Sequence, residues 1–172
     1  VLSCAGKTFI AGGDMSEFDV PPQEPHLPDV VAAIENSAVP FVALLHGNVL
    51  GGGFEIAMAC AWRVARPGTR FGLPEVNIGL LPGAGGPPRA PRLLGWGMAF
   101  EMACLGQMKS AEALFELGAL DALSEDLEGA VLQFKGSRKP KLSDRVIEPM
   151  TEAQGTHFRE RAQSFAKGRQ AP

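Results

Sequence analysis

Cysteine is scarce in this chain of 172 residues: the three present, Cys4, Cys60 and Cys104, are odd in number, far apart and set among apolar neighbours. That distribution excludes a disulfide framework and fits core thiols in a reducing compartment, so a cytoplasmic location is expected. Histidine is as sparse. His26, His46 and His157 stand alone, neither Cys-x-x-Cys nor His-Glu-x-x-His spacing occurs, and no metal site is expected. Long hydrophobic runs are missing too. The longest apolar stretch, Val39 to Cys60, is broken by Pro40, His46, Asn48, several glycines and Glu55, which disqualifies it as a membrane-spanning helix. The opening VLSCAGKTF lacks the basic and apolar regions of a signal peptide. The net charge is only −3 and no internal repeat is visible.

What is present in excess is glycine and proline, 21 and 14 residues, against about 12% combined in average usage. They punctuate loops. With 45% hydrophobic and 20% charged residues the chain can bury a core, and one globular domain is the default expectation. Charge is uneven: residues 1–134 hold 7 basic and 15 acidic groups, residues 135–172 hold 9 basic and 4 acidic ones. A basic tail can meet phosphates, but a solvated helix with a linker is the plainer reading, and nucleic acid is not the expected partner.

Periodicity orders the chain as α/β first and helical later. The apolar start Val1 to Cys4 reads as a strand fragment, with the expectation that further chain precedes it. PDVVAAIENS reads as a helix with Pro28 in its first turn. FVALLH (41–46) is apolar throughout, a strand buried on both faces as in an α/β sheet. GNVLGGG then ends a strand and opens a helix in FEIAMACA, while WRVA (62–65) and TRFG (69–72) bracket a turn. Three helical patterns follow: MAFEMACLG, SAEALFELG between Ser110 and Gly118 as caps, and EDLEGAVLQF. Residues 136–149 read as an extended linker and 151–167 as a last helix with Phe158, Ala162, Phe165 and Ala166 on one side. The expected division is 1–125 as the core and 126–172 as a helical and linker segment.

Two glycine-rich places carry possible chemistry, AGGD at 11–14 and LGGG at 50–53, the second directly before a helix. Backbone N–H groups at a helix start are unpaired and sit at the positive end of the macrodipole, so they can hold an anion. Tight turns packing strand against helix would read the same way. GAGGPP at 83–88 lacks the third glycine of a dinucleotide fingerprint. Glu55 and Glu75 are carboxylates in apolar surroundings, each compatible with a capping role when taken alone. As a pair beside glycine loops they suit acid–base work at a carbonyl, one taking a proton and the other delivering one. His46 reads as hydrogen-bonded core, and Asp14 as a cap that leaves the Gly13 N–H free.

Taken together, GKTFIAGGDMSEF (6–18), HGNVLGGGFEIAMACAWRVA (46–65) and RFGLPEVNIGLLPGAGGPPRAPRLLG (70–95) resemble the crotonase, or enoyl-CoA hydratase/isomerase, family, and SAEALFELGALDAL extends the likeness to about residue 125. The resemblance implies a crotonase-like β-β-α superhelix, here without its first strands, and an acyl-CoA substrate. By the same resemblance Gly13 and Gly52 donate to the thioester oxygen, and Ala11, Gly51, Pro82 and Gly83 line the substrate. Glu55 activates a water for C3 and Glu75 serves the proton at C2. Hydratases of this family use both glutamates, whereas isomerases usually keep only the second, so enoyl-CoA hydration is the expected activity, with Δ3-Δ2 isomerisation or a non-catalytic crotonase-fold binding module as the alternatives. It implies no metal or redox cofactor, coenzyme A entering as part of the substrate. The PPQEPHLP loop (21–28) is expected to border the acyl pocket. The C-terminal SDRVIEPMTEAQGTHFRERAQSFAKGRQAP is similar to the segment between the hydratase and 3-hydroxyacyl-CoA dehydrogenase domains of multifunctional β-oxidation proteins. A dehydrogenase part and a homo-oligomer are therefore the possible partners. GGPPR departs from the family's Gly-Gly-Thr-Gln-Arg: Pro87 and Pro88 each remove a backbone donor, which would disturb the positioning of Glu75.

Overall fold

A computed structural model describes residues 1–13, 16, 21 and 24–167. In chain order its elements are α1 (Leu27–Glu35), β1 (Val42–Leu45), β2 (Asn48–Leu50), α2 (Gly52–Ala59), β3 (Trp62–Ala65), β4 (Arg70–Gly72), α3 (Gly86–Leu105), β5 (Lys109–Ser110), α4 (Ala111–Glu116), β6 (Ala122–Leu123), α5 (Leu127–Val131) and α6 (Glu152–Lys167), with a 3-10 turn at Pro74–Ile78. Two three-stranded sheets result. In one, β3 lies between β1 and β6, parallel to both, with Val42 opposite Trp62 and Leu45 opposite Ala65. β1 and β3 are buried at all four positions, as continuous apolar strands covered on both faces must be. In the other, β4 pairs with β2 in parallel and with β5 antiparallel. The start of the chain adds a single parallel bridge, Leu2 to Ala43, in place of a strand.

The helix α2 links the sheets and carries the core. Phe54 and Met58 are fully buried, and the Phe54 ring meets Phe71 of β4 edge-on at 5.4 Å. Each such aromatic contributes about 1.5–3 kcal/mol through burial alone. The end of α2 is held by Arg63, a buried cation in β3. Its guanidinium donates to the carbonyls of Cys60 (2.7 Å), Ala119 (3.0 Å) and Ala57 (3.3 Å) and faces Asp121 at 3.5 Å.

Two segments differ from the sequence expectation. α3 begins at Gly86, well before MAFEMACLG, because Pro87 and Pro88 occupy its second and third positions, where no intrahelical acceptor exists for an N–H. The two prolines therefore cost no helical bond at the start of α3. Pro91 and the extended Gly95 (φ 74°, ψ 164°) divide α3, which is why only its second half shows helical spacing. Residues 136–149 form a strap against the domain. Leu142 is buried, the Ser143 N–H donates to Glu35 (3.1 Å), Arg92 donates to the Arg145 carbonyl (3.0 Å) and Trp96 Nε1 to the Glu148 carbonyl (2.9 Å).

The basic tail is partly neutralised within the fold: Lys139 pairs with Asp121, and Arg161 with Glu101 at 3.3 Å. Among the described residues no helix is long and apolar enough to cross a membrane. Cys60 is buried in the core, Cys4 is half-buried and packs against it, and Cys104 is half-buried; all three are free.

Candidate active site

The glycine loop before α2 is shaped by its neighbours. Gly51 adopts φ 54°, ψ −128°, a conformation open to glycine, and a side chain there would stand 3.0 Å from the Glu75 carboxylate and 3.9 Å from the Cα of Gly12. The Gly12–Gly13 turn, the start of α2 and Glu75 therefore meet at one place. The backbone on either side is tied down, Leu50 N–H donating to the Ile10 carbonyl (2.9 Å) and Gly51 N–H to the Gly72 carbonyl (3.0 Å). Gly52 is the first residue of α2, where an N–H has no intrahelical acceptor; no backbone carbonyl among the described residues accepts it. Gly13 and Ala11 are exposed beside this loop. Asp14, the expected cap, lies outside the described residues, as do 22 and 23 of the PPQEPHLP loop.

Glu55 projects from the first turn of α2 with only 2% of its surface exposed. Its Oε1 accepts from Gly86 N–H (2.7 Å) and Ala84 N–H (2.8 Å), so the carboxylate caps the N-terminus of α3. Burial pushes its pKa above the ordinary carboxylate value, against the opposing pull of those two N–H groups and of the Arg89 cation. Glu75 sits half-buried in the 3-10 turn, and its buried Oε2 has no hydrogen-bond partner among the described residues. Burial also raises its pKa, opposed by its own N–H and reinforced by the charge of Glu55. The charge of Glu55 thus adds to burial in favouring the protonated form of Glu75.

The substrate-lining candidates divide. Gly51 is buried with its N–H used internally, Gly83 is exposed, and buried Pro82 packs beside Gly86 at the place where Glu55 also meets it. From Pro82 an apolar groove of about 500 Å³ runs between α3 and α6, past Ala90, Phe100, Cys104, Phe158 and Ala162. His46 is half-buried at the end of β1, its carbonyl accepting from Phe9 N–H (2.9 Å).

Sequence reasoning missed the clamp on Glu55. GAGGPP reads as a failed nucleotide fingerprint, whereas its backbone supplies the two donors that fix the carboxylate. The signal was there in glycines followed by prolines, the pattern of a helix start.

A family model described as enoyl-CoA hydratase/isomerase matches residues 1–135. The chain belongs to that family. It is 42% identical over 146 residues to the peroxisomal bifunctional enzyme of Danio rerio, covering 83% of this chain and 20% of that protein. It is 35% identical over 172 residues to the fatty acid oxidation complex subunit alpha of Colwellia psychrerythraea, covering 87% of this chain and 24% of that protein. The chain thus spans about a quarter or less of the length of these curated relatives. Among solved structures, an enoyl-CoA hydratase from Bacillus anthracis superposes with a TM-score of 0.71 at 25% identity, over 98% of this chain and 72% of that one. Pseudomonas aeruginosa DspI gives 0.72 at 27% identity, over 96% and 74%. The fold is the crotonase fold, as the resemblance of the motifs at 6–18, 46–65 and 70–95 implied.

Proposed function

We propose that the chain is the enoyl-CoA hydratase part of a fatty-acid β-oxidation protein, adding water syn across a 2-trans-enoyl-CoA to give the 3-hydroxyacyl-CoA. The observation that carries this reading is Glu75 set against the glycines at 12 and 51, within electrostatic reach of Glu55 on the first turn of α2. The Gly13 and Gly52 N–H groups receive the thioester oxygen at the start of α2, where developing negative charge is stabilised. Glu55, ionised and held by α3, takes a proton from water as the water oxygen bonds to C3. The π electrons move onto the thioester oxygen as an enolate. Glu75, protonated, then delivers a proton to C2 as the carbonyl reforms, and the proton on Glu55 returns to Glu75 through the next water. Every atom is supplied by water, substrate and the two carboxyls, so this scheme uses no metal or redox group. The acyl tail follows the apolar groove from Pro82 towards Phe158, and a dehydrogenase part of the same protein would consume the 3-hydroxyacyl product. The free thiols fit a reducing compartment such as the cytoplasm.

A second reading, Δ3-Δ2 isomerisation, draws on a Glu75 oxygen with no partner among the described residues beside a Glu55 engaged by two N–H groups, which would leave Glu75 to shuttle the proton alone. Loss of the conjugated thioester absorbance of crotonyl-CoA measures hydration in the protein that contains this chain. Glu55→Gln and Glu75→Gln are each expected to slow it by about 10²–10⁴-fold. Full hydration by Glu55→Gln overturns the hydratase mechanism. Migration of a 3-enoyl-CoA double bond that survives Glu55→Gln but not Glu75→Gln establishes the isomerase instead.

A further inference from the structure

Beneath the Glu55 clamp lies an ion pair that the reaction scheme does not use. Arg89 of α3 and Glu35 at the end of α1 have side chains only 11% and 5% exposed. Arg89 holds Glu35 with both arms of its fork, Nε to Oε1 at 3.2 Å and Nη2 to Oε2 at 2.5 Å. Its third donor, Nη1, reaches the Gly85 carbonyl at 3.1 Å, a contact so close that any side chain at Gly85 would stand 2.0 Å from that nitrogen. The Gly85 carbonyl and the Gly86 N–H belong to one planar peptide group. Arg89 therefore grips one edge of the plane whose other edge donates to Glu55. Buried ion pairs contribute little to stability against well-packed apolar substitutes, so stability alone gives no reason for a charged pair at this spot.

We propose that the Arg89–Glu35 pair is a positioning device for the carboxylate of Glu55, acting through the Gly85–Gly86 peptide. The inference rests on the acid–base role given to Glu55 above. Arg89 fixes the tilt of the peptide and polarises its N–H towards Glu55, and Glu35 stops the guanidinium from turning away. Glu35 also accepts the Ser143 N–H, so the strap at 136–149 braces the same arrangement. The charged groups that face Glu55 are Arg89 from α3, Glu75 from the 3-10 turn and Glu35 from α1 behind Arg89. Arg89 lowers the Glu55 pKa, and Glu35 partly cancels that cation.

The two partners therefore act on Glu55 with opposite sign. In the intact protein, Arg89→Met is expected to lower kcat for crotonyl-CoA hydration by about 10–100-fold, as misplacement of a catalytic group does, with KM little changed. The acid limb of its pH profile moves to higher pH. Arg89→Lys restores the position of the limb but not the full kcat, because an ammonium cannot reproduce the fork. Glu35→Gln moves the limb to lower pH. A structural pair alone would lower the folded fraction, seen by circular dichroism, and leave the limb in place in every variant; that result overturns the proposal. Titration of the Glu55 carboxyl carbon by 13C NMR needs no substrate. Opposite displacements in Arg89→Met and Glu35→Gln support the proposal even if the wild type fails to hydrate crotonyl-CoA, which would count against the hydratase reading alone. Should Arg89→Met not fold, the Glu35→Gln displacement decides.

Discussion

Glu75 shows how a single carboxyl can work against the stability of the fold that positions it. Its pKa is raised in the folded chain, by burial and then by the neighbouring charge of Glu55, so the folded state holds its proton more tightly than the unfolded chain does. Between the ordinary carboxylate value and the raised one the unfolded state binds fewer protons, and stability falls as pH rises through that window. Below the window the effect is absent because both states are protonated. Glu75→Gln removes the slope. Denaturant midpoints taken from the carboxylate range to neutral pH are expected to show the variant gaining on the wild type as pH rises, with the gain level above the window. A gain that grew on acidification would mean that the carboxylate is stabilised in the fold. Glu35 has the opposite sign. Burial raises its pKa, but its bonds to Arg89 and the Ser143 N–H outweigh that and bring it below the ordinary value, so its contribution is lost as pH falls. Both glutamates of the candidate site were legible in the sequence because a carboxylate in an apolar run lacks a solvent face. Arg89 and Glu35 were not, since each sits in a segment with enough polar neighbours to pass for surface.

At the scale of elements, local patterns sufficed wherever one face or one cap decided the outcome. β1, β3 and the strand-to-helix glycines follow from apolar runs and turn residues, and the Ser110 hydroxyl does accept from Ala113 N–H (3.3 Å) at the start of α4. α3 was only half legible. Its first half carries three prolines and is held by tertiary contacts, Glu55 at its start among them, which override poor helix propensity. Gly95 and Gly97 give this a direct test. Gly95 holds a backbone region closed to other residues (φ 74°, ψ 164°), while Gly97 lies in helical backbone with open space around its Cβ position. Gly95→Ala is therefore expected to cost about 1–3 kcal/mol, and Gly97→Ala to add about 0.5–1 kcal/mol. Urea unfolding of the two variants measures the difference. Equal effects would mean that the break in α3 is not set by Gly95.

For the whole molecule, the strands and the C-terminal helix stand at opposite ends of a stability range. β1 and β3 are buried along their length, whereas α6 has no buried residue. It leans on α3 through Phe158, stacked on Phe100 with ring centroids 4.6 Å apart, and through Arg161, which bonds Glu101 at 3.3 Å and lies 5.7 Å from the centroid of the Phe100 ring. A stacked pair contributes about 0.5–1.5 kcal/mol, and an exposed cation over a ring about 0.5–1 kcal/mol. An exposed ion pair adds about 0–1 kcal/mol. These contacts are small beside the roughly 5–15 kcal/mol that separates a typical domain from its unfolded state, so α6 is expected to open as a local event. Its amphipathic spacing made the helix legible in the sequence. How weakly it is held was not, because that depends on which few residues of α3 it meets. Hydrogen exchange is expected to run at least ~10²-fold faster across 152–167 than in β1 and β3. Phe158→Ala should accelerate α6 further while leaving the strands unchanged. Because α6 forms one wall of the apolar groove, the proposed path of the acyl tail implies that the same variant raises KM for long-chain enoyl-CoA substrates and leaves the short crotonyl-CoA unaffected. Equal changes for both substrates would mean that the groove does not receive the acyl tail.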